Sequence, residues 1–253
     1  MNNLEAADTL SLGIATAPAS LCQRCAHKLV RIISLGEPIK QRGNEVNMDK
    51  YVITIARGYG SGGRTIGKML SEELGIPYYD RDLLRLASDD SGINERLFAK
   101  ADEKIKKTLL FRIASNIYKG ELIPPDNDDF VSNDNLFNYQ AKIIKELAET
   151  ESCIIIGRCA DYILKDYKNV VRVFVHAPLE DCINTLKEMT GNPVKDIEKQ
   201  IATIDKHRAE YYKYYTGRSW EDAKNYDLCL NSSQLGFGKC VEIVKSYLDI
   251  RFR

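Results

Sequence analysis

The sequence predicts an α/β fold: an open sheet of five strands flanked by helices. Three observations lead there. Five short apolar, β-branched runs recur along the chain, at residues 51–56, 76–79, 153–157, 170–175 and 227–230. Segments with helical periodicity separate them. The first run enters a glycine-dense loop that opens directly into an amphipathic helix.

That first unit organises the rest. Tyr51 to Ala56 reads as a buried strand, and Gly58 to Gly63 as the loop. The following helix carries Ile66, Met69, Leu70 and Leu74 on one face, and Gly75 with Pro77 suits its end. Glycines let backbone N–H groups turn toward an anion, and a helix N-terminus adds partial positive charge. Gly58, Gly63 and Thr65 satisfy the P-loop pattern G-x-x-x-x-G-K-[ST], except that Arg64 stands where lysine is expected. A second register, G-x-x-G-x-G-K-x-T aligned on Thr65, puts Gly63 at the lysine position. In both registers the lysine is absent. Thr65 offers a hydroxyl for Mg²⁺, and Arg57 or Arg64 offers the missing charge. Arginine presents a planar fork, not a point charge.

Composition narrows the function classes. The chain has 253 residues, 44% hydrophobic and 28% charged, with Lys+Arg and Asp+Glu equal at 36 each. A formal net charge of zero argues against general attraction to nucleic acid or to an anionic membrane. No apolar run is long enough to span a bilayer. Seven scattered cysteines suggest no disulfide framework, which fits a reduced, cytoplasmic protein.

Residues 1–47 differ from the remainder. Glu5 and Asp8 precede the mildly apolar stretch Leu10 to Leu21, unlike the basic start of a secretory signal. Cys22, Cys25 and His27 supply too few spaced ligands for a closed zinc site. We expect a poorly ordered extension over 1–47 and a functional domain over 48–253.

Further along, the second strand ends at Asp80, with Arg81 next. In open α/β sheets ligands bind beyond the carboxyl ends of the strands, so both residues are candidates for holding a substrate. Residues 88–140 are polar and partly helical, broken by Pro124-Pro125, and read as a helical insertion between strands. Within it Ile105, Leu109, Phe111 and Ile113 are scattered among lysines. Tyr139, Ile143, Ile144 and Leu147 mark the helix leading back. Arg158 follows the third strand, placed to grip a phosphate bidentately, and Asp161 after it is a further candidate for the substrate. A helix from about Glu180 to Met189 precedes a longer one with Val194, Ile197, Ile201 and Ile204. Asp205, Lys206, His207 and Arg208 end that helix, and Tyr211, Tyr212, Tyr214 and Tyr215 follow. The tyrosines suit either packing or a stacking platform for a base. Val241 to Leu248 is a terminal amphipathic helix.

From Met48 onward the chain resembles the cytidylate kinase-like proteins, a branch of the P-loop nucleoside monophosphate kinases. The likeness rests on residues 56–64 (ARGYGSGGR), 77–80 (PYYD), 156–161 (IGRCAD) and 205–208 (DKHR) with the tyrosines after them. The resemblance implies a parallel five-stranded sheet of P-loop kinase type, a nucleoside monophosphate-binding helical insertion, and a lid over about 190–216. It implies transfer of the ATP γ-phosphoryl group to CMP or dCMP, with Mg²⁺. Carried over by position, Gly60, Ser61, Gly62, Gly63, Arg64 and Thr65 cradle the ATP phosphates. Gly157-Arg158 matches the Gly-Arg-Asp that holds the CMP phosphate, but Cys159 takes the third place and Asp161 comes two positions late. Asp205-x-x-Arg208 matches the lid pattern, with Arg208 directed at the transferring phosphoryl. The family usually shows Asp-Ser-Gly after the second strand; this chain has Asp80-Arg81-Asp82. Two other readings stand beside this one. The missing lysine suits a nucleotide-binding module without kinase activity, and the altered acceptor residues suit a kinase for another small acceptor.

Overall fold

The computed structural model describes residues 50–103, 121–127 and 129–252. The chain divides into two units, Met1–Val46 and Asn47–Arg253, and all described residues belong to the second. The expectations for 1–47, and for Ile105, Leu109, Phe111 and Ile113, fall outside the described residues.

Five strands form one sheet: β1 (Val52–Arg57), β2 (Tyr78–Tyr79), β3 (Cys153–Ile156), β4 (Val170–His176) and β5 (Leu228–Asn231). Their order is β2-β3-β1-β4-β5, and every pairing is parallel. Parallel strands need crossover connections, and helices supply them. These are α1 (Gly63–Leu74), α2 (Asp82–Ser91), α3 (Glu95–Glu103), α4 (Asn133–Thr150), the short α5 (Ala160–Ile163), α6 (Leu179–Thr190), α7 (Val194–Thr216) and α8 (Ser232–Phe252).

The central strand shows why the runs are continuously apolar. Val52 and Ala56 join one core with α2, α4 and α5, while Ile53 and Ile55 join a second core with α1 and α8. Both faces of the sheet are covered, so both must be apolar. Ile66 and Leu70 of α1 are fully buried in the second core, each worth about 1.5–3 kcal/mol. Gly75 ends α1 in the left-handed conformation, and its N–H bonds the carbonyl of Ser71.

Three expectations shift. α4 begins at Asn133, earlier than Tyr139, because the Ser132 side chain accepts the Asn135 N–H and caps it. The second strand shrinks to two residues. The tyrosines do not follow the long helix; they lie within α7. Tyr212 and Tyr215 are buried, and the Tyr215 ring stacks on Phe137 of α4 at 3.9 Å between centroids, tilted 7°. These two rings are engaged in packing α7 against the core and leave no face for a base.

Candidate functional site

The parallel sheet brings the ends of β1, β2 and β3 to one edge, and the candidate residues gather there. β1 runs into the loop, whose Gly60 and Gly62 take φ values of 86° and 78°. Gly60 also packs against α6: a Cβ there would lie 2.9 Å from both Cβ and the carbonyl oxygen of Cys182. Ser61 is buried, and its hydroxyl donates to the carbonyls of Gly58 (2.9 Å) and Val175 (3.0 Å). Its side chain therefore braces the loop, leaving only main-chain atoms for a ligand. Arg64 and Thr65 in the first turn of α1 are exposed.

Four arginines from different elements join one chain of contacts. Arg64 Nε pairs with Asp80 Oδ2 at 2.8 Å, and Arg57 Nη2 lies 3.9 Å from Asp80 Oδ1. Arg158 Nε donates to the Asp80 main-chain carbonyl at 3.2 Å. Arg208 Nη1 donates to the Arg57 carbonyl and to Asp205 Oδ1, both at 3.0 Å. The Asp205 carboxylate also accepts the N–H of Tyr59, at 2.9 and 3.1 Å to its two oxygens. The Arg208 guanidinium carbon sits 5.6 Å from the Tyr59 ring centre, close enough for cation–π attraction. α7 thus holds the tip of the loop through Asp205 and Arg208, and Gln200 adds a hydrogen bond to the Tyr59 hydroxyl at 3.2 Å.

The electrostatics follow from this crowding. Burial, then the charges of Arg208, Arg64 and Arg158, push the Arg57 guanidinium down to about 9, and only Asp80 opposes them. At neutral pH it stays protonated. Burial likewise lowers Arg208 and raises Asp205, each opposed by the other. Three of these guanidiniums, those of Arg57, Arg64 and Arg208, pair with two carboxylates, Asp80 and Asp205, an arrangement that favours an anion.

The segment after β3 is unusual. Gly157, Arg158 and Cys159 have φ values of 69°, 56° and 55°, three left-handed residues in succession. For the two non-glycines this costs roughly 1–2 kcal/mol each. The turn brings the Arg57 guanidinium so close to Gly157 that any Cβ there would collide with it. Gln140 of α4 accepts from Arg158 Nη1 at 3.1 Å and is itself buried.

Two candidates stand apart. Asp161 is buried, and its Oδ2 accepts from the Tyr212 hydroxyl at 2.6 Å. The helical turn from Arg158 carries it into the core, which corrects the expectation that it touches substrate. Arg81 caps α2 with an exposed side chain, outside the chain of contacts around Asp80. Conversely, Gln140 and Tyr59 are missed by sequence reading. Gln140 had a signal: it is a polar residue on the otherwise apolar stripe of Leu136, Phe137, Ile143 and Ile144. Tyr59 had none, since its main-chain N–H, ring and hydroxyl all meet α7, which lies far along the chain.

A recess of about 340 Å³ opens beside the loop, bordered by Gly60, Ala177, Asp181, Ser233 and Phe237. Among the described residues no cluster of three or more His, Cys, Asp or Glu could hold a metal ion, and the five described cysteines, of the seven in the chain, are free. No described helix is long and apolar enough to cross a membrane.

The sequence profile of the cytidylate kinase-like family matches residues 52–234, which contain the glycine loop and all four arginines. The chain belongs to the cytidylate kinase-like family. Among relatives, a cytidylate kinase of Pyrococcus horikoshii is 23% identical over 202 residues, 79% of this chain and 90% of its own length. A cytidylate kinase of Methanopyrus kandleri is 24% identical over 207 residues, 78% of this chain and 93% of its own. Among solved structures, an uncharacterized protein from Eubacterium ventriosum superposes with a TM-score of 0.59 at 24% identity. That match covers 79% of this chain and 99% of the other, and shows a shared fold. Family membership agrees with the five-stranded parallel sheet flanked by helices.

Proposed function

We propose that the protein is an ATP-dependent phosphotransferase acting on a nucleoside monophosphate, with CMP or dCMP as the acceptor. One observation carries this reading: four arginines converge on the mouth of a glycine loop, three of them paired with Asp80 and Asp205. A nucleotide kinase must hold two mutually repelling polyanions in line, and preorganised positive groups offset that repulsion.

The roles follow from position. Main-chain N–H groups of residues 60–65 receive the ATP phosphates at the start of α1. Arg64, half exposed, turns from Asp80 to the phosphates in place of the lysine. The buried Arg57 adds fixed charge beneath them. Arg208, on the helix that grips the loop, lies over the transferring group. Arg158, Asp80 and Asp205 define the acceptor side. The recess beside Gly60 has room for the donor base, with Phe237 on its border.

The protein's donor set suits Mg²⁺ that arrives with the nucleotide. Thr65 offers one exposed hydroxyl, while Asp80 and Asp205 are already engaged by arginines. Mg²⁺ in such sites keeps several waters and takes few protein ligands. When bound, it would offset the negative charge that develops on the phosphates.

The test is ADP release from Mg-ATP with CMP, dCMP, UMP and AMP. Turnover greatest with CMP or dCMP is the expected result. The missing lysine favours a second reading, a nucleotide-binding module; ATP binding without turnover for every acceptor supports it. Turnover with a non-nucleotide acceptor alone replaces the substrate assignment and keeps the phosphotransferase.

A further inference from the structure

Asp161 and Tyr212 meet in the core at 2.6 Å, outside the arginine chain. Their places in the sequence tie them to it. Asp161 lies three residues after Arg158, just past the left-handed turn. Tyr212 lies four residues after Arg208 on α7, one helical turn along the same face. The hydrogen bond therefore bridges the two elements that carry these arginines.

A carboxylate is a costly way to fill a core. Arg172 does not neutralise it through a direct side-chain bond: its Nε donates to the main-chain carbonyl of Asp161, at 3.2 Å. The groups facing the carboxylate are the Tyr212 hydroxyl, the N–H groups of Asp161 and Tyr162, Arg172 and Tyr226. Burial outweighs those that favour the charge and holds Asp161 at about 6. An apolar pair would pack there at lower cost. A directional bond does what apolar contact does not, fixing angle and register. Arg158 needs such support, because strained left-handed residues persist only where their surroundings over-determine them.

We propose that Asp161 and Tyr212 form a positioning pair that sets Arg158 and Arg208 relative to each other for phosphoryl transfer. The inference rests on the phosphotransferase reading, and neither residue touches the reacting groups.

Tyr212→Phe, Asp161→Asn and the double variant of the full chain test it, through urea unfolding, kcat and acceptor KM, and ATP affinity measured without acceptor. Tyr212→Phe is expected to stay folded and lose about tenfold in kcat, with acceptor KM within about twofold and ATP bound several-fold more weakly. Asp161→Asn keeps an oxygen acceptor for the phenol and loses less. The double variant matches Tyr212→Phe, since without the phenol the second change removes nothing more. Wild-type kcat and ATP affinity in folded Tyr212→Phe overturn the proposal, as does a double loss equal to the product of the single losses. If Tyr212→Phe does not fold, Asp161→Ala breaks the same bond from its other end under the same criteria. If the wild-type protein binds ATP but phosphorylates no acceptor, the phosphotransferase reading fails, and the ATP affinities alone decide the pair. Absence of ATP binding by the wild type overturns both.

Discussion

Arg64 Nε lies 2.8 Å from Asp80 Oδ2, so the residue standing at the lysine position of the loop is tied to the carboxylate that ends β2. The pair is asymmetric: the Arg64 side chain is 50% exposed and Asp80 only 15%. The arginine can leave; the carboxylate cannot. A polyphosphate offers more charge than one carboxylate, so the structure suits exchange of Arg64 from Asp80 to a ligand.

Arg64→Ala is therefore expected to change stability by less than about 1 kcal/mol, the usual scale for an exposed pair, while weakening ATP binding about tenfold. Arg57→Ala weakens it less, because Arg57 is held against Gly157 and Asp80. Calorimetric titration of ATP into both variants checks this. The same affinity in both would leave the loop without an identified charge in lysine's place.

Arg158→Ala and Arg208→Ala are expected to cost roughly a hundredfold or more in turnover, the scale for deleting a donor aimed at transferring charge. Arg208→Ala also frees Asp205, which still accepts the Tyr59 N–H. The loop keeps that anchor, so the loss reads out charge and not collapse. Steady-state rates alongside unfolding curves make the measurement; wild-type rates in both variants would remove these residues from the site.

The sheet was legible in the sequence because burial on both faces forces continuous apolar runs, and β1, β3, β4 and β5 lie within a residue or so of where those runs stand. The glycine loop and Arg158 were legible because a strand's end fixes where the next residues go. Asp161 was misread because its side-chain direction depends on φ at Arg158 and Cys159, and the left-handed values there are not written in residue type. The tyrosines were ambiguous for a related reason. An aromatic ring suits a core or a ligand equally, and only the arrival of Phe137 from α4 decides for Tyr215.

Gly60→Ala should destabilise the domain by about 2 kcal/mol or more. A left-handed residue with a Cβ costs roughly 1–2 kcal/mol, and overpacking adds about 1–3 kcal/mol. The obstruction includes the Cys182 main-chain carbonyl, 2.9 Å from the added atom, which cannot swing aside as a side chain can. Urea unfolding measures the cost. An unchanged midpoint would mean that the loop does not pack on α6.

Asp161 also predicts how stability depends on pH. Burial raises its carboxyl to about 6 in the folded protein, against about 3.9 in an unfolded chain. Between these values the folded state binds more protons than the unfolded, so stability falls as pH rises through this window. Below it both states are protonated, and above it both are ionised, so the contribution is flat on either side. The two-unit gap corresponds to about 2–3 kcal/mol. Other carboxylates titrate in the same range, so the quantity to measure is the difference between wild type and Asp161→Asn, whose amide does not ionise. Urea unfolding at pH 4, 5, 6 and 7 should show the variant gaining on the wild type from pH 4 to 6 and holding level above about pH 7. A difference constant across that range would mean that the carboxylate titrates alike in the folded and unfolded chains, and that burial at Tyr212 imposes no cost on its charge.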